Sequence, residues 1–432
     1  MICDNEKRGY LMKTPEELRA DFWKEDELKG SVIRKQYDQI KEVLANNDMD
    51  WVLARYNDIK EYAIRNTEYY KNVEVDDFPV VNKASILENY EAHKAREGAY
   101  SLPVHISSTS GSTGTPFSVL QDYEKRQRTI ADLKVFGERA DYPSHERMVF
   151  FRGTTKNRTP EQEDKENIYY IDCGNMGNDN LELMFRAIVD KKPRIIFSYS
   201  STLIELAKYI DVYHHGTEFS MVSTMIAGEG LSDNNRLLLE NVFGCTVYRR
   251  YSDMELGILG QDLGSGGGYF LNWGSYFFEC LKVDSDEPAE YGEVGRIVIT
   301  DLFNKAMPLI RYDTGDYGVF ERSASALPIF SSVLGKKMEC VYSTSGELIS
   351  PHKLEILMWG YDDILQWQFV QDEEKKYHFN LNARQEMDCS GIIEAFKVYL
   401  GSDAEIAVNY VDEIPTLASN KRRMVVCNLD RV

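Results

Sequence analysis

The sequence predicts an α/β fold, a large multi-sheet α/β body followed by a small α+β unit. Three observations lead there. Residues from about 10 to 95 have helical texture, short apolar runs alternate with helical stretches from about 105, and a fresh set of strand signals begins near Gly335. The predicted division is 1–334 for the body and 335–432 for the small unit.

In the opening region Tyr37, Ile40, Val43 and Leu44 recur at helical spacing, followed by Trp51, Leu53, Tyr56, Ile59 and Tyr62. Residues 78–90, FPVVNKASILENY, break at Pro79 and resume as a helix near Ser85, read as its N-cap. Such amphipathic stripes face a core far more often than a partner. A helical interaction protein would also explain nothing after residue 100, and that reading is set aside. Next come the strand candidates MVFF (148–151), RIIFSY (194–199), MVSTMIAG (221–228) and CTVYRRY (245–251), with helices expected at 201–213 and 231–243. SYFFECLKV and GRIVITDL read as paired strands joined through the turn-rich DSDEPAEYGE. The second unit offers strand signals at ECVYS, HFNLNA and IAVNYV, helices near 351–359 and 390–400, and a basic, hairpin-like end.

Composition narrows the function. The 432 residues hold 50 Lys+Arg against 70 Asp+Glu, a net charge of −20, with 43% apolar and 12% aromatic residues. That is enough apolar surface for a packed core. The acidic excess argues against nucleic acid or an anionic membrane as partner, since phosphate surfaces are met by clustered Lys and Arg. A small anion such as ATP stays compatible, held by a few backbone amides and one or two cations. The seven cysteines (Cys3, Cys173, Cys245, Cys280, Cys340, Cys389, Cys427) are scattered with no C-x-x-C pair, which predicts a reducing cytoplasm. No zinc-type Cys/His spacing is present, MICDNEKRGY has no apolar core of a signal peptide, and no run nears the ~18 apolar residues of a membrane span. Nothing in the sequence selects an oligomeric state.

The most informative short segment is SSTSGSTGTP, residues 107–116. Gly111 and Gly114 let backbone amides turn toward an anion, and the hydroxyls of Ser107, Ser108, Thr109, Ser110, Ser112 and Thr113 add donors. The spacing is not that of a Walker loop. On composition alone a Ser/Gly-rich surface linker is the stronger reading. The strand candidate after it (Phe117, Val119, Leu120) and four downstream segments shift the balance. AGEGL (227–231) lets backbone approach a flat ligand, and YSDME (251–255) pairs an aromatic with a carboxylate suited to Mg²⁺. PLIRYDTGD (308–316) offers Asp313 and Asp316, either one an acceptor for ribose hydroxyls, and SNKRRMVV supplies Lys421. Singly each has a duller explanation as a turn, a solvated glutamate or a wet basic face.

Together and in this order the segments resemble the adenylate-forming (acyl/aryl-CoA synthetase, or ANL) superfamily, in its phenylacetate–CoA ligase, coenzyme F390 synthetase and CapK-like branch. The resemblance covers nearly the whole chain. It rests on FPVVNKASILENY (78–90), STSGSTGTPF (108–117), YSDMELGILGQD (251–262), GEVGRIVITDLFNKAMPLIRYDTGD (292–316) and LGKKMECVYSTSGELISPHKLE (334–355). It implies an adenylation body and a mobile C-terminal lid. It also implies ATP and Mg²⁺, a small carboxylic acid as substrate, and CoA as the commonest acyl acceptor. The activity implied is AMP-forming ligation of the acid to a thiol. The alternatives are a CapK-like transfer to an amine or hydroxyl in surface-polysaccharide or other biosynthesis, and a non-catalytic nucleotide-binding homologue.

By the same resemblance Ser107, Ser108, Thr109, Ser110, Gly111, Ser112, Thr113 and Gly114 would form the mobile loop over the β- and γ-phosphates. Ala227, Gly228 and Glu229 would line the adenine and acyl pocket, and Tyr251, with Ser252 beside it, would lie against the adenine. Glu255 matches the Mg²⁺ carboxylate, Asp316 the ribose-binding aspartate, and Lys336 stands where the family usually has Arg beside the hinge. Gly346 sits in the loop lining the thiol tunnel of CoA-using members. Lys421 matches the catalytic lysine that bridges the substrate carboxylate and the α-phosphate. The chain departs from the pattern at Phe117, where many relatives have Lys, and at Met254, in place of Ser or Thr. It departs again at Gly335-Lys336-Lys337-Met338, in place of Gly-Arg-x-Asp, and at Asn420, in place of Gly. Residues 261–273 lack the Cys and His of the zinc site some members carry, so no zinc is expected.

Overall fold

The computed structural model describes residues 13–109, 117–153, 158–231, 233–264, 266–324, 327–336, 340–349, 354, 357–358, 361, 363–415 and 424–429. The chain starts helical where it supplies a cap: Thr14 and Glu17 form a reciprocal capping box for α1 (Pro15–Leu28). Helix α2 (Val32–Asn46) buries Ile33, Tyr37, Ile40, Val43 and Leu44, the stripe expected from spacing, and α3 (Met49–Asn66) buries Val52, Ile59 and Ala63. Leu53, placed in the same stripe by sequence, is exposed. After β1 (Val81–Asn82), α4 (Lys83–Glu88) is capped by Asn82, not Ser85. Ser85 occupies the third helical position and accepts from the Asn82 amide, completing a capping box, so the cap lies three residues before the one expected. A short α5 (Tyr90–His93) leads to the hairpin β2 (His105–Thr109) and β3 (Phe117–Gln121), then α6 (Tyr123–Glu138).

The predicted strand–helix alternation follows as β4 (Met148–Arg152), α7 (Pro160–Glu166), β5 (Ile168–Asp172), α8 (Asn178–Lys191) and β6 (Ile195–Ser198). It continues through α9 (Ser200–Tyr213), β7 (Ser223–Ala227), α10 (Asp233–Phe243) and β8 (Thr246–Asp253). The five strands are parallel in the order β5-β4-β6-β7-β8. The chain leaves β4 toward one edge and returns on its other side at β6. Ligands of open α/β sheets bind at the carboxyl ends of strands near such a reversal. An antiparallel half continues the same sheet through β9 (Gly257–Asp262), β10 (Tyr269–Leu271), β11 (Tyr276–Leu281), β12 (Val294–Asp301), β13 (Tyr312–Glu321) and β14 (Ile329–Lys336). With β1 docked on β13, the sheet has twelve strands.

One core joins α2 and α3 to the antiparallel half, and another packs α8, α9 and α10 against the parallel half. Between helix α6 and the sheet lies a polar network with almost no solvent. Lys125 and Asp301 form an ion pair at 2.7 Å with both side chains fully buried, Lys125 Nζ also donates to Tyr276 Oη (2.9 Å), and Arg128 donates to Ser275 Oγ and the Gly274 carbonyl. Removing one partner of such a pair strands the other charge in a low dielectric. Lys125→Ala is therefore expected to lower unfolding stability by about 3–5 kcal/mol in urea denaturation; a change under about 1 kcal/mol would contradict the burial argument.

The C-terminal residues carry their own core, built around Phe369, Phe379, Ile392, Phe396 and Leu400. A small hairpin, β15 (Val341–Tyr342) and β16 (Leu348–Ile349), precedes a four-stranded sheet of β17 (Ile364–Glu373), β18 (Lys376–Ala383), β19 (Glu405–Tyr410) and β20 (Val425–Cys427). Its order is β19-β18-β17-β20, with the helix Ser390–Leu400 against it. Strand β17 was not among the sequence signals, and among the described residues of the end read as hairpin-like, β20 runs parallel to β17, pairing Val425 with Phe369. Most of the helix expected near 351–359 lies outside the described residues.

Candidate active site

The base of the Ser/Gly-rich segment is the β2–β3 hairpin, which pairs Ser107 with Val119 and Thr109 with Phe117. Ser108 and Ser118 share a hydrogen bond across it at 2.7 Å. Its two strands grip the turn after β8. Ser107 Oγ donates to the Met254 carbonyl, and Gln121 Nε2 donates to the Glu255 carbonyl at 3.0 Å. Tyr276 Oη, from the buried network, donates to the Leu256 carbonyl. Asp253 closes the turn by accepting from the Leu256 amide (2.7 Å). Three successive carbonyls are thus held from three directions. Gly257 follows at φ +118°, where a side chain would be strained and a Cβ would come within 3.1 Å of the Tyr276 hydroxyl.

This anchoring fixes where the Glu255 carboxylate emerges, half-buried and facing Tyr312, whose hydroxyl lies 3.5 Å from Glu255 Oε1. Phe117 stacks on Tyr312, with ring centroids 6.2 Å apart and planes 16° off parallel. Burial holds the Tyr312 phenol far above its ordinary pKa, and the charges of Glu255, Asp253, Asp316 and Asp313 add to that, so it remains a donor. Asp316 is buried and accepts from Tyr251 Oη at 2.9 Å, while its amide donates to Thr314 Oγ1 at 3.1 Å. Burial, with Asp316 and Asp253 nearby, keeps the Tyr251 phenol protonated as well. The geometry separates the two aspartates that side-chain chemistry alone left equivalent. Asp313 is tied to Arg296 at 2.7 Å and accepts from the Gly315 amide, a structural commitment.

Lys336 is the direct cross-strand partner of Asp316. A register shift between Tyr317 and Gly318 accompanies it, and Gly335 takes φ +83°, a conformation that favours glycine. Ala227 pairs with Arg250, which brings Gly228 and Glu229 to the same sheet end as Tyr251. The Glu229 side chain turns to the neighbouring helix. It accepts from Ser200 Oγ, the Ser201 amide and Ser201 Oγ at 2.9–3.1 Å, capping the start of α9 and fixing the loop after β7. Ser252 is half-buried and pairs with Ile258. Ser110, Gly111, Ser112, Thr113, Gly114 and Lys421 lie outside the described residues.

Sequence reasoning passed over Tyr312, Gln121 and Arg250. Tyr312 stands inside the PLIRYDTGD segment, so its signal was present; Gln121 and Arg250 gain meaning only from long-range packing. Among the described residues no group of three or more His, Cys, Asp or Glu is placed to hold a metal ion. A single presented carboxylate suits Mg²⁺, which is commonly held by one or two carboxylates plus the phosphates of a nucleotide.

Comparisons with known proteins bear on the fold and on the C-terminal domain. Residues 341–428 match the family model "CapK C-terminal domain". Over 445 aligned residues the chain is 20% identical to protein CapK of Staphylococcus aureus, covering 93% of this chain and 96% of that one. Crystal structures of 2-hydroxyisobutyryl-CoA ligase in the postadenylation state, in complex with 2-HIB-AMP, align at a TM-score of 0.68 and 14% identity, over 87% of this chain and 89% of theirs. O-succinylbenzoate coenzyme A synthetase of Bacillus subtilis, in complex with ATP and magnesium ion, aligns at 0.53 and 16% identity, over 74% and 68%. No helix among the described residues is long and apolar enough to cross a membrane. The chain thus has the fold of these acyl-CoA ligases, resembles protein CapK along most of its length, and carries a C-terminal domain of the CapK type.

Proposed function

We propose that the protein is an AMP-forming carboxylate ligase, with residues 1–334 as the adenylation body and 335–432 as a mobile lid. The observation that carries this is the shared frame of the phosphate loop and the Glu255 turn. Ser107 on β2 and Gln121 on β3 hold the very carbonyls that position Glu255. A loop over the leaving phosphates and a carboxylate for their cation then move as one unit, the preorganisation that phosphoryl-type transfers require.

In the first half-reaction a carboxylate oxygen of the acid attacks the α-phosphorus of ATP. The new O–P bond forms as the bond to the β-phosphate oxygen breaks, and pyrophosphate leaves. An acid ionised at pH 7 needs no general base. Asp316, oriented by Tyr251, accepts from the ribose hydroxyls, and Lys336 lies across the strand from it. Ser107 to Gly114 restrain the leaving group, and Lys421 meets the charge gathering at the α-phosphoryl. Glu255 would hold Mg²⁺, which supplies charge neutralisation at phosphate oxygens. In the second half-reaction the CoA thiol attacks the acyl carbonyl, AMP departs as the C–O bond breaks, and the thiol proton passes to solvent. The lid turns about Gly335–Lys337 between halves, a gating motion rather than chemistry. Cytoplasm is the fitting compartment, since the cysteines among the described residues are all free thiols.

Acid-dependent ATP–pyrophosphate exchange across a mixed carboxylate panel tests the reading. Exchange with at least one acid is expected, while ATP binding without exchange for any acid would reduce the protein to a nucleotide-binding homologue. The CapK match over most of the chain favours a second reading, in which an amine or hydroxyl replaces CoA. CoA-dependent AMP release during turnover separates the two.

A further inference from the structure

The face of the parallel sheet turned away from α8, α9 and α10 carries an aromatic row. Tyr170, Phe150 and Phe197 are register neighbours on β5, β4 and β6, with ring centroids 5.4 and 4.5 Å apart. Phe150 and Phe197 stay half-buried although they sit on interior strands, whereas Met148 and Ile195, two residues back on the same face, are buried. The face therefore opens toward the carboxyl ends of the strands, where ligands enter. Two arginines stand at that end. Arg152 lies 5.9 Å from the Phe150 ring, and Arg250 lies 5.8 Å from the Phe197 ring.

Arg250 is the unusual one. Only 8% exposed, it gives both Nε and Nη2 to one neutral acceptor, Gln261 Oε1. Among the described residues no carboxylate pairs with it or with Arg152. The neighbouring Arg249 and Arg236 both reach Asp262, so the fold does supply counter-charges on this strand. A desolvated cation with no anion is costly unless something else supplies the charge. Burial lowers the Arg250 guanidinium to about 10, the direction expected of a charge lacking its partner. Its register partner is Ala227, one strand spacing away in the expected acyl pocket.

We infer that Arg250, with Arg152 at the rim, receives a second anionic group of the acid substrate, so that the acid is a dicarboxylate with a flat body lying on Phe150 and Phe197. A planar guanidinium fork matches a carboxylate edge, and the aromatic row suits a planar body. This rests on the ligase reading and deepens it.

The test uses the full chain and matched acids, benzoate against terephthalate and phenylacetate against 4-carboxyphenylacetate. In ATP–pyrophosphate exchange the dicarboxylate should exceed its partner in kcat/KM by about 10- to 100-fold. Arg250→Gln should bring that ratio to within about threefold of unity, and Arg250→Lys should keep part of it. If Arg250→Gln fails to fold by circular dichroism, the ratios for Arg250→Lys and the exposed Arg152→Gln decide, each expected to fall by about three- to tenfold. Exchange that is robust yet indifferent to the second carboxylate overturns the inference and leaves the ligase reading standing. Calorimetric terephthalate binding that is lost in Arg250→Gln, with no exchange for any acid, overturns the ligase reading and keeps the dianion site.

Discussion

Glu255→Gln should depress acid-dependent ATP–pyrophosphate exchange by about 10²- to 10³-fold, with the Mg²⁺ concentration for half-maximal rate moved upward. The substitution keeps the side chain's shape and removes only its charge. The turn should survive, because Ser107, Gln121 and Tyr276 hold it through the main-chain carbonyls of Met254, Glu255 and Leu256, which the substitution leaves in place. The thermal midpoint is therefore expected to stay near wild type, and a magnesium titration of exchange rate separates lost cation affinity from lost folding. Tyr312→Phe is the internal comparison. At 3.5 Å its contact to Glu255 Oε1 is long, so losing it should cost far less than losing the carboxylate. Equal exchange and equal magnesium dependence in Glu255→Gln would remove this residue from the cation site.

Local physics made much of the body readable. The 3.6-residue stripe of α2 and the apolar runs of β4, β6, β7 and β8 are decided within a few residues, and they fold as their spacing dictates. What sequence misplaced depends on distant partners. Strand β17 reads ILQWQFVQDE, whose glutamines obscure the alternation; Gln371 is fully buried because Tyr342 supplies both its donor and its acceptor across 29 residues. The parallel addition of β20 to β17 joins residues more than fifty positions apart. Ser85 shows the milder failure, the right residue in a capping box but at the wrong end of it.

The site divides the same way. Its segments and their order were legible, since each keeps its chemistry within a short stretch. The relation between them was not: Ser107 and Met254 are 147 positions apart, and Asp313 differs from Asp316 only through Arg296 on one side and Tyr251 on the other. The Glu229 side chain shows the same dependence on distant partners, because its oxygens serve the first turn of α9, 28 residues upstream. The charge of −20 sharpens the point. On the ligase reading proposed above, ATP, a carboxylate and CoA would all be anions repelled by the global field, so affinity would come from local donors and cations within a screening length.

The second large effect concerns the lid. Lys421→Ala should reduce exchange by at least about 10³-fold while leaving thioester or amide formation from presynthesised acyl-adenylate within a few-fold of wild type. The reasoning is that charge gathers at the α-phosphoryl only while the acid attacks ATP; once the acyl-adenylate exists, the second half-reaction places its charge on the departing AMP with the lid turned away. Lys421 stands four residues before Val425 in the sequence, and Val425 pairs with Phe369 in the core of the C-terminal unit, the unit expected to carry the lysine. Lys421→Arg is not expected to restore exchange, because a planar fork cannot replace a compact ammonium between two oxygens. Single-turnover measurements of both halves decide the matter: equal loss in the two would make the lysine a structural residue of the lid, and undiminished exchange would move the α-phosphate contact to another cation.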